Sequence, residues 1–266
     1  MANFEEYSRK YKHVKMRRRD GILEMTLHTN GGSLRWALEP EIELGNAFAD
    51  IGSDRENRIV ILTGTGNEFI GPRHSGDMSI YTAHDRNITP LVMDTVHGYA
   101  KRIITRFLEI EVPMIGVVNG PATRHAEVGL MCDIVIASDD VTFEDTAHFT
   151  HGGSGVPGDG ISTVYTMLLG LNRARYLALT GQVLSAKEAK ELGLVAELMP
   201  REKLLPRAWE LAEQLAKKPD LVLRYTRIVL THPLKKMMDD SIMYHLTLES
   251  MAGLEKAAVL RQQGKK

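Results

Sequence analysis

The sequence predicts an α/β fold followed by a helical C-terminal region. Strand-like and helix-like segments alternate along residues 1–198, which is the order expected of an α/β core. After Gly193 the apolar spacing becomes almost entirely helical. We therefore predict a core over residues 1–198 and a helical region over residues 199–266. Ligand sites in α/β cores collect in the loops that leave the strand ends, so the functional residues are sought there.

The first predicted elements are a hairpin and a β-α-β unit. Apolar and polar residues alternate from His13 to Thr29 around Asp20-Gly21, a pair that favours a two-residue hairpin turn. Helical spacing follows from Glu39 to Ile51, and Arg58 to Gly64 has the pattern of a short buried strand. These segments predict the beginning of a sheet that is covered by a helix.

The same order of helix and strand recurs further along the chain. A helical segment from Leu91 to Ile110 stops before Pro113, because proline disfavours helical backbone in the residue before it. Buried strands are predicted at Met114 to Val118 and at Asp133 to Ala137. In the C-terminal region, three prolines predict separate helices: Leu204 to Ala216, Leu221 to Leu230 and Leu234 to Gln262.

Charge and cysteine content exclude several classes of protein. The 33 basic and 34 acidic side chains nearly cancel, so we expect neither a nucleic-acid partner nor a membrane partner. The run Arg17 to Arg19 is assigned to a solvated hairpin tip. The single cysteine, Cys132, lies in an apolar run and is predicted to be a buried, inert thiol. With no signal peptide and no apolar run near the ~20 residues that span a bilayer, we expect a cytoplasmic location.

Several segments resemble the landmarks of the crotonase superfamily, the enoyl-CoA hydratases and isomerases, in both order and spacing. They are Arg58 to Thr65, Val112 to Gly120, Leu130 to Ser138, Val156 to Gly160, Leu179 to Gly181 and Ala186 to Val195. The resemblance implies a spiral of ββα turns with a C-terminal helical region that serves trimerisation and covers the active site. It also implies assembly as a homotrimer or a dimer of trimers.

The chain departs from ordinary superfamily members in the loops that hold a thioester carbonyl. The first loop, Phe69 to Asp77, is longer and is interrupted by Pro72. In the second, Asn119 to Glu127, the glycine run that follows Asn119-Gly120 in the family is replaced and the segment is one residue shorter. These loops supply the oxyanion hole, whose backbone geometry most other residues cannot copy. Of the two glutamates that hydratases of the family use, Glu127 falls on the first, but Ala147 falls on the second. The pattern disfavours ordinary hydratase chemistry.

Within the superfamily, the chain resembles β-diketone hydrolases of the 6-oxocamphor hydrolase type, which cleave a carbon–carbon bond without coenzyme A. The resemblance is carried by Ser33 to Trp36, Gly120 to His125, Phe143 to Asp145 with His148-Phe149, Val156 to Gly160 and Leu248-Glu249. It implies that His148 and Asp159 form a catalytic dyad, with Trp36, His125 and Glu249 around the substrate. It implies no cofactor and no metal.

The catalytic residues also fit simpler roles when each is taken alone. His148 lies in a glycine-rich loop where histidines are common, but an imidazole oriented by Asp159 is suited to take a proton from water. His148, His151 and Asp159 form an alternative set of metal ligands. Glu127 fits the first turn of a helix, where the helix dipole favours an acidic residue.

The residues expected around the substrate leave similar alternatives. A side-chain N–H of His125 can replace a lost oxyanion-hole amide, or His125 can be an ordinary loop histidine. Trp36 is either a core residue or an indole donor to a substrate carbonyl. Glu249, in an otherwise apolar helical stretch, is either exposed or part of the site.

The function that these residues favour together is hydrolysis of a carbon–carbon bond in a small, cyclic 1,3-diketone by a retro-Claisen reaction. His148 would activate water, and His125 and Trp36 would bind the two carbonyl oxygens. Two alternatives remain: a CoA-dependent enoyl-CoA hydratase or isomerase with an atypical pocket, and a crotonase-fold protein that only binds.

Overall fold

The computed structural model describes residues 3–71, 89–149 and 155–263. The strands are β1 Val14–Arg19, β2 Ile22–Leu27, β3 Leu34–Arg35, β4 Ile59–Thr63, β5 Ile70–Gly71, β6 Met114–Val118, β7 Ile134–Ser138, β8 Thr142–Phe143, β9 Leu184–Ser185 and β10 Glu197–Met199. The helices are α1 Phe4–Tyr7, α2 Leu38–Ser53, α3 Pro90–Leu108, α4 Glu127–Leu130, α5 Ile161–Leu169, α6 Leu171–Thr180, α7 Ala186–Glu191, α8 Arg201–Leu215 and α9 Asp220–Gln263.

The main sheet has the strand order β1-β2-β4-β6-β7-β10. Strands β1 and β2 form the predicted antiparallel hairpin, and the other neighbours pair in parallel. Asp20 and Gly21 have φ angles of 53° and 76°, as a two-residue turn of the hairpin type requires. The α/β fold class predicted from the sequence is confirmed.

Alternate side chains of the central strands pack into two apolar cores, one on each face of the sheet. In β4, Val60 and Leu62 belong to the larger core, whereas Ile59 and Ile61 belong to the smaller core under α8. All five residues of β4 are buried, which explains why the strand is a continuous apolar run rather than an alternating one.

A second, smaller layer of strands brings three loops side by side. Strand β3 pairs with β5, and β8 pairs with β9. Ala122, in the loop after β6, bridges these two pairs through Ile70 and Phe143. Because the loops that follow β3, β6 and β8 begin at this layer, their side chains meet at one place.

The C-terminal helices differ from the prediction at Pro233. Helix α8 begins at Arg201 and contains Pro206, and α9 runs from Asp220 to Gln263 through Pro233 without a break. Proline removes one backbone hydrogen bond and favours a kink, but α9 packs against α3 and α5 and continues through Pro233. The predicted division at Pro233 was therefore wrong.

The basic run of β1 also differs from the prediction. Arg18 is not at a solvated hairpin tip: it is mostly buried and its guanidinium lies 2.7 Å from the Asp54 carboxylate. Arg19 pairs with Glu213 at 2.7 Å. Cys132 is buried and free, as predicted, and burial raises the pKa of its thiol. Within the described ranges, no helix combines the length and apolar character needed to cross a bilayer.

Candidate active site

The five predicted site residues come from five separate parts of the chain and meet at the small strand layer. Trp36 directly follows β3, and its backbone N–H donates to the carbonyl of Gly71 at 2.8 Å. The others are His125 in the loop after β6, His148 after β8, Asp159 just before α5 and Glu249 on α9. The C-terminal helix therefore contributes directly to the site.

His148 is held by Asp145, a carboxylate that is not among the predicted site residues. Its Nδ1 lies 2.6 Å from Oδ2 of Asp145. The other oxygen of Asp145 accepts the backbone N–H groups of Ala147 at 3.0 Å and His148 at 3.2 Å. With its side chain only 2% exposed, Asp145 is a fixed acceptor that sets the orientation of the imidazole. Its spacing from His148 was the sequence signal that could have revealed it.

The second ring nitrogen of His148 faces two further carboxylates. Nε2 lies 3.2 Å from Oε1 of Glu249 and 4.0 Å from Oδ2 of Asp159. The predicted dyad partner Asp159 is thus close to His148 but not hydrogen-bonded to it, and it stands at the nitrogen opposite to the one Asp145 holds. Asp145 makes the contact that fixes the orientation of the ring, and the dyad of His148 with Asp159 stays a prediction.

Asp159 lies between the two histidines of the site. Its Oδ2 is 3.5 Å from Nδ1 of His125, so one carboxylate oxygen is near both rings. Its Oδ1 approaches the backbone N–H of Ile161 at 3.5 Å, which is long for a helix-capping bond. The position of Asp159 therefore fits an interaction with the two histidine rings better than capping of α5.

His125 is held on two sides. Its Nδ1 lies 2.8 Å from Oε1 of Glu127, and its ring stacks on Trp36 with centroids 3.6 Å apart and planes 25° from parallel. The backbone φ of His125 is +47°, which is uncommon for a residue other than glycine and is maintained only by surrounding structure. The two residues predicted to bind the substrate carbonyls are thus in direct contact with each other.

Glycines let the loop before α5 approach the other site residues closely. A Cβ on Gly155 would lie 2.6 Å from Cδ2 of His148. A Cβ on Gly158 would lie 2.4 Å from the carbonyl oxygen of His245 and 2.8 Å from Oε2 of Glu249. Larger residues at these positions would displace His148 or push the loop away from α9.

The charges of the site shift the pKa values of both histidines upward. Burial alone would lower the pKa of His148, but Asp159 and Asp145, with the hydrogen bonds of Asp145 and Glu249, raise it well above the ordinary histidine value. Burial alone would also lower the pKa of His125. The adjacent Glu127 carboxylate outweighs this effect and, with smaller contributions from other acidic groups, raises the pKa to about 9.

The carboxylates of the site are shifted in different directions. Burial raises the pKa of Glu249 and of Glu127. At Asp145, burial by itself raises the pKa, but the charge of His148 and its hydrogen bond hold the value below the ordinary one. Asp145 is therefore the member of the site best suited to remain a charged acceptor.

Three side chains of the site are close enough to be considered as metal ligands. Ligand atoms of His125, Glu127 and Asp159 all lie within 4.8 Å of one another. Metal ligation requires a deprotonated Nδ1, whereas the neighbouring carboxylates raise the pKa of His125 and favour its charged form. The arrangement fits an ion pair better than a metal site. In the alternative metal set predicted from the sequence, His151 lies outside the described residues.

The positions that correspond to the hydratase glutamates are not arranged as a catalytic pair. Glu127 is paired with His125, and Ala147 offers no side-chain acid or base. Of the two altered oxyanion loops, residues 72–77 of the first lie outside the described residues. In the second loop, His125 occupies the position with positive φ.

A family model described as enoyl-CoA hydratase/isomerase matches residues 17–252. The chain belongs to this family. As a crotonase, it is similar to a solved β-diketone hydrolase from the cyanobacterium Anabaena: 40% of residues are identical over 94% of this chain and 97% of that one, with a TM-score of 0.88. That hydrolase was solved bound to (S)-3-oxocyclohexyl acetic acid.

Other relatives of this crotonase have names that refer to a different reaction. A probable peroxisomal enoyl-CoA hydratase of Arabidopsis thaliana is 31% identical over 71% of this chain and 67% of its own length. A putative enoyl-CoA hydratase of Thermus thermophilus is 30% identical over 76% of this chain and 78% of its own. The comparisons therefore establish the crotonase superfamily, and both reactions occur in the names of its members.

Proposed function

We propose that the protein hydrolyses a carbon–carbon bond in a cyclic 1,3-diketone by a retro-Claisen reaction and releases a keto acid. The observation that carries this proposal is the arrangement of His148: Nδ1 is held by Asp145 at 2.6 Å, and Nε2 faces Asp159 and Glu249. A histidine that is oriented through one nitrogen and turns the other toward carboxylates of the site is the arrangement that activates water. The similarity to the Anabaena β-diketone hydrolase supports the same reaction.

The proposed reaction begins with water. Neutral His148 removes a proton from water at Nε2, and the hydroxide adds to one carbonyl carbon of the diketone. Glu249, 3.2 Å from the same nitrogen, positions the water or the substrate. Collapse of the tetrahedral adduct breaks the bond between the carbonyl carbon and the central carbon, leaving a carboxylic acid at one end and an enolate at the other.

The enolate is then stabilised and protonated. His125 donates a hydrogen bond to the enolate oxygen, and Trp36, stacked on His125, contacts the substrate beside it. The proton that His148 took from water returns to the central carbon, with Asp159 placed between the two rings to carry it. Overall, one water is added across one carbon–carbon bond. The second carbonyl of the substrate is the electron sink, so the proposal needs no cofactor and no metal.

The alternative function, hydration or isomerisation of an enoyl-CoA, is favoured by the names of several relatives. Water addition in that reaction depends on two acid-base groups, but Glu127 is tied to His125 and Ala147 replaces the second carboxylate. A role in binding only is the remaining alternative. It gives no reason for two histidines that both lie within 4.0 Å of the same carboxylate oxygen of Asp159.

We also propose that the protein forms a homotrimer or a dimer of trimers. The support is a set of apolar side chains on α9 that are more than half exposed in the single chain: Leu221, Val222, Tyr225, Val229, Leu230, Tyr244 and Met251. Large apolar side chains left exposed along one helix favour an interface with another chain. Light scattering after size-exclusion chromatography would give the assembled mass, and a monomer would contradict this proposal.

The deciding experiment compares substrates. Purified protein is incubated with a panel of cyclic 1,3-diketones and, separately, with crotonyl-CoA. We expect loss of diketone ultraviolet absorbance and formation of a keto acid identified by mass spectrometry, with no change in crotonyl-CoA. Turnover of crotonyl-CoA with none of the diketones would support the hydratase, and inactivity towards both would support the binding role.

A further inference from the structure

Glu127 is a buried residue for which the proposed reaction has no use. It is the first residue of α4, and its side chain is only 2% exposed. One carboxylate oxygen, Oε1, lies 2.8 Å from Nδ1 of His125. The other, Oε2, is buried with no hydrogen-bond partner in the part of the chain that the structure describes. Burying a carboxylate oxygen without a hydrogen bond is unfavourable, so we expect this side chain to have a role that compensates.

The ring of His125 is held so that only one nitrogen remains for a substrate. Glu127 occupies Nδ1 at 2.8 Å, and Trp36 covers one face of the ring at a centroid distance of 3.6 Å. Because an imidazole has two nitrogens, the hydrogen bond at Nδ1 leaves Nε2 as the donor for any ligand. The φ angle of +47° at His125 shows that its backbone, too, is constrained to this position.

We propose that Glu127 is a positioning residue that holds His125 as an imidazolium and directs its Nε2–H to the oxygen that becomes the enolate. This inference rests on the proposed diketone hydrolysis. A charged donor stabilises a developing oxyanion more strongly than a neutral one, and a donor that is fixed beforehand needs no reorganisation during the reaction. Glu127 thus acts through His125 and does not contact the substrate.

Other acidic groups around His125 must be considered before the effect is attributed to Glu127. Asp159 lies 3.5 Å from Nδ1, Glu41 of α2 acts from a greater distance, and the charges of Asp145 and Glu249 also interact with the ring. Among the residues that the structure describes, only Glu127 makes a hydrogen bond of ordinary length to Nδ1. Its removal should therefore change the protonation of His125 more than any other single substitution.

The test is Glu127→Gln, which keeps the size of the side chain and an acceptor oxygen but removes the charge. We expect kcat for diketone hydrolysis to fall by roughly 10²-fold with a small change in KM, as for loss of one oxyanion donor. The alkaline limb of the kcat–pH profile should move to lower pH. Glu127→Asp, which keeps the charge, should retain an alkaline limb close to that of the unchanged protein. Glu109→Gln, at an exposed position, serves as the matched control.

A second measurement follows the protonation of the His125 ring without any substrate. In protein labelled with ¹⁵N-histidine, the His125 resonances should titrate near pH 9 in the unchanged protein and at clearly lower pH in Glu127→Gln. An unmoved titration and an unmoved alkaline limb, in a Gln variant that is only less heat-stable, would overturn the proposal and leave Glu127 with a packing role. If the unchanged protein hydrolysed no diketone, the proposed function would fall, whereas the titration would still show whether Glu127 controls the ring.

Discussion

Asp145 holds Nδ1 of His148 at 2.6 Å and is itself held by two backbone N–H groups, so the histidine presents its other nitrogen to the site in one orientation. The pair is separated by only three residues, and both side chains are buried. This contact makes Asp145 the anchor of the proposed general base.

Asp145→Asn should lower kcat by at least about 10²-fold, because an asparagine removes the charge that stabilises the imidazolium and permits the wrong tautomer. Loss of the negative charge should also lower the pKa of His148. Steady-state kinetics and a pH profile check both effects, with Asp139→Asn at an exposed loop position as the control. A variant with unchanged kcat and a correct fold would show that His148 does not need Asp145.

Replacing His148 by alanine should reduce the rate by roughly 10² to 10⁴, the range expected for removing a general base. His148 lies beside the apolar core and not within it, so we expect a circular-dichroism spectrum like that of the unchanged protein. His232→Ala, at an exposed position on α9, is the control for general effects of histidine removal. Near-normal turnover in folded His148→Ala would exclude it as the base.

Asp159→Asn distinguishes helix capping from a role in proton transfer. Asparagine caps helices as well as aspartate does, so a capping role predicts almost no effect. Because Asp159 stands 3.5 Å from one histidine and 4.0 Å from the other, we expect kcat to fall by at least about 10²-fold with a modest change in KM. Equal activity of the variant and the unchanged protein, at matched thermal stability, would show that Asp159 only caps the helix.

The dependence of kcat on pH should be bell-shaped. His148 must lose its proton to act as a base, and its raised pKa places the rising limb above the ordinary histidine value. His125 must keep its proton to act as a charged donor, so the rate should fall near pH 9. Both limbs report the coupled site, not isolated residues.

Glu249→Gln should move the rising limb of that profile more than the falling limb. Removing the carboxylate 3.2 Å from Nε2 lowers the pKa of His148, so the rising limb should move to lower pH. Glu249 makes no hydrogen bond to His125 and acts on it only through its charge, so the falling limb should move less. Glu255→Gln, exposed on the same helix, is the matched control. If the rising limb did not move, Glu249 would have no influence on the pKa of His148.

Chelators should leave activity unchanged if His125, Glu127 and Asp159 form an ion-paired cluster. Dialysis against EDTA followed by assay with a diketone checks this expectation. Loss of activity that a divalent ion restores would instead assign the cluster to a metal.

The fold could be predicted from the sequence because its signals are local. The Asp20-Gly21 turn, the apolar run of β4 and the strand before Asn119 each depend on neighbouring residues, and all three appear where expected. The continuous helix through Pro233 could not be predicted in this way. Its continuity depends on packing against α3 and α5, which are distant in sequence.

The residues of the site could be predicted in part from the sequence, but the contacts between its carboxylates and histidines could not. The five predicted residues do meet, and His125 and Trp36 are in contact. Asp145 lies three residues before His148, and Asp159 lies eleven residues after it. The directions of their side chains decide which of the two carboxylates contacts the histidine. The resemblance implied Asp159 as the partner of His148, but a sequence gives no side-chain direction and so could not show the contact with Asp145.

The close approach of Gly158 to α9 has a consequence for how the protein becomes active during folding. Glu249 is 101 residues away from His148 along the chain, and the backbone of Gly158 provides the surface on which that part of α9 rests. The strands of the sheet and the contacts of His148 with Asp145 and of His125 with Glu127 are all formed by residues that precede α9. In a refolding experiment, sheet formation measured by circular dichroism should therefore precede the return of turnover, and the recovered turnover would report docking of the last helix.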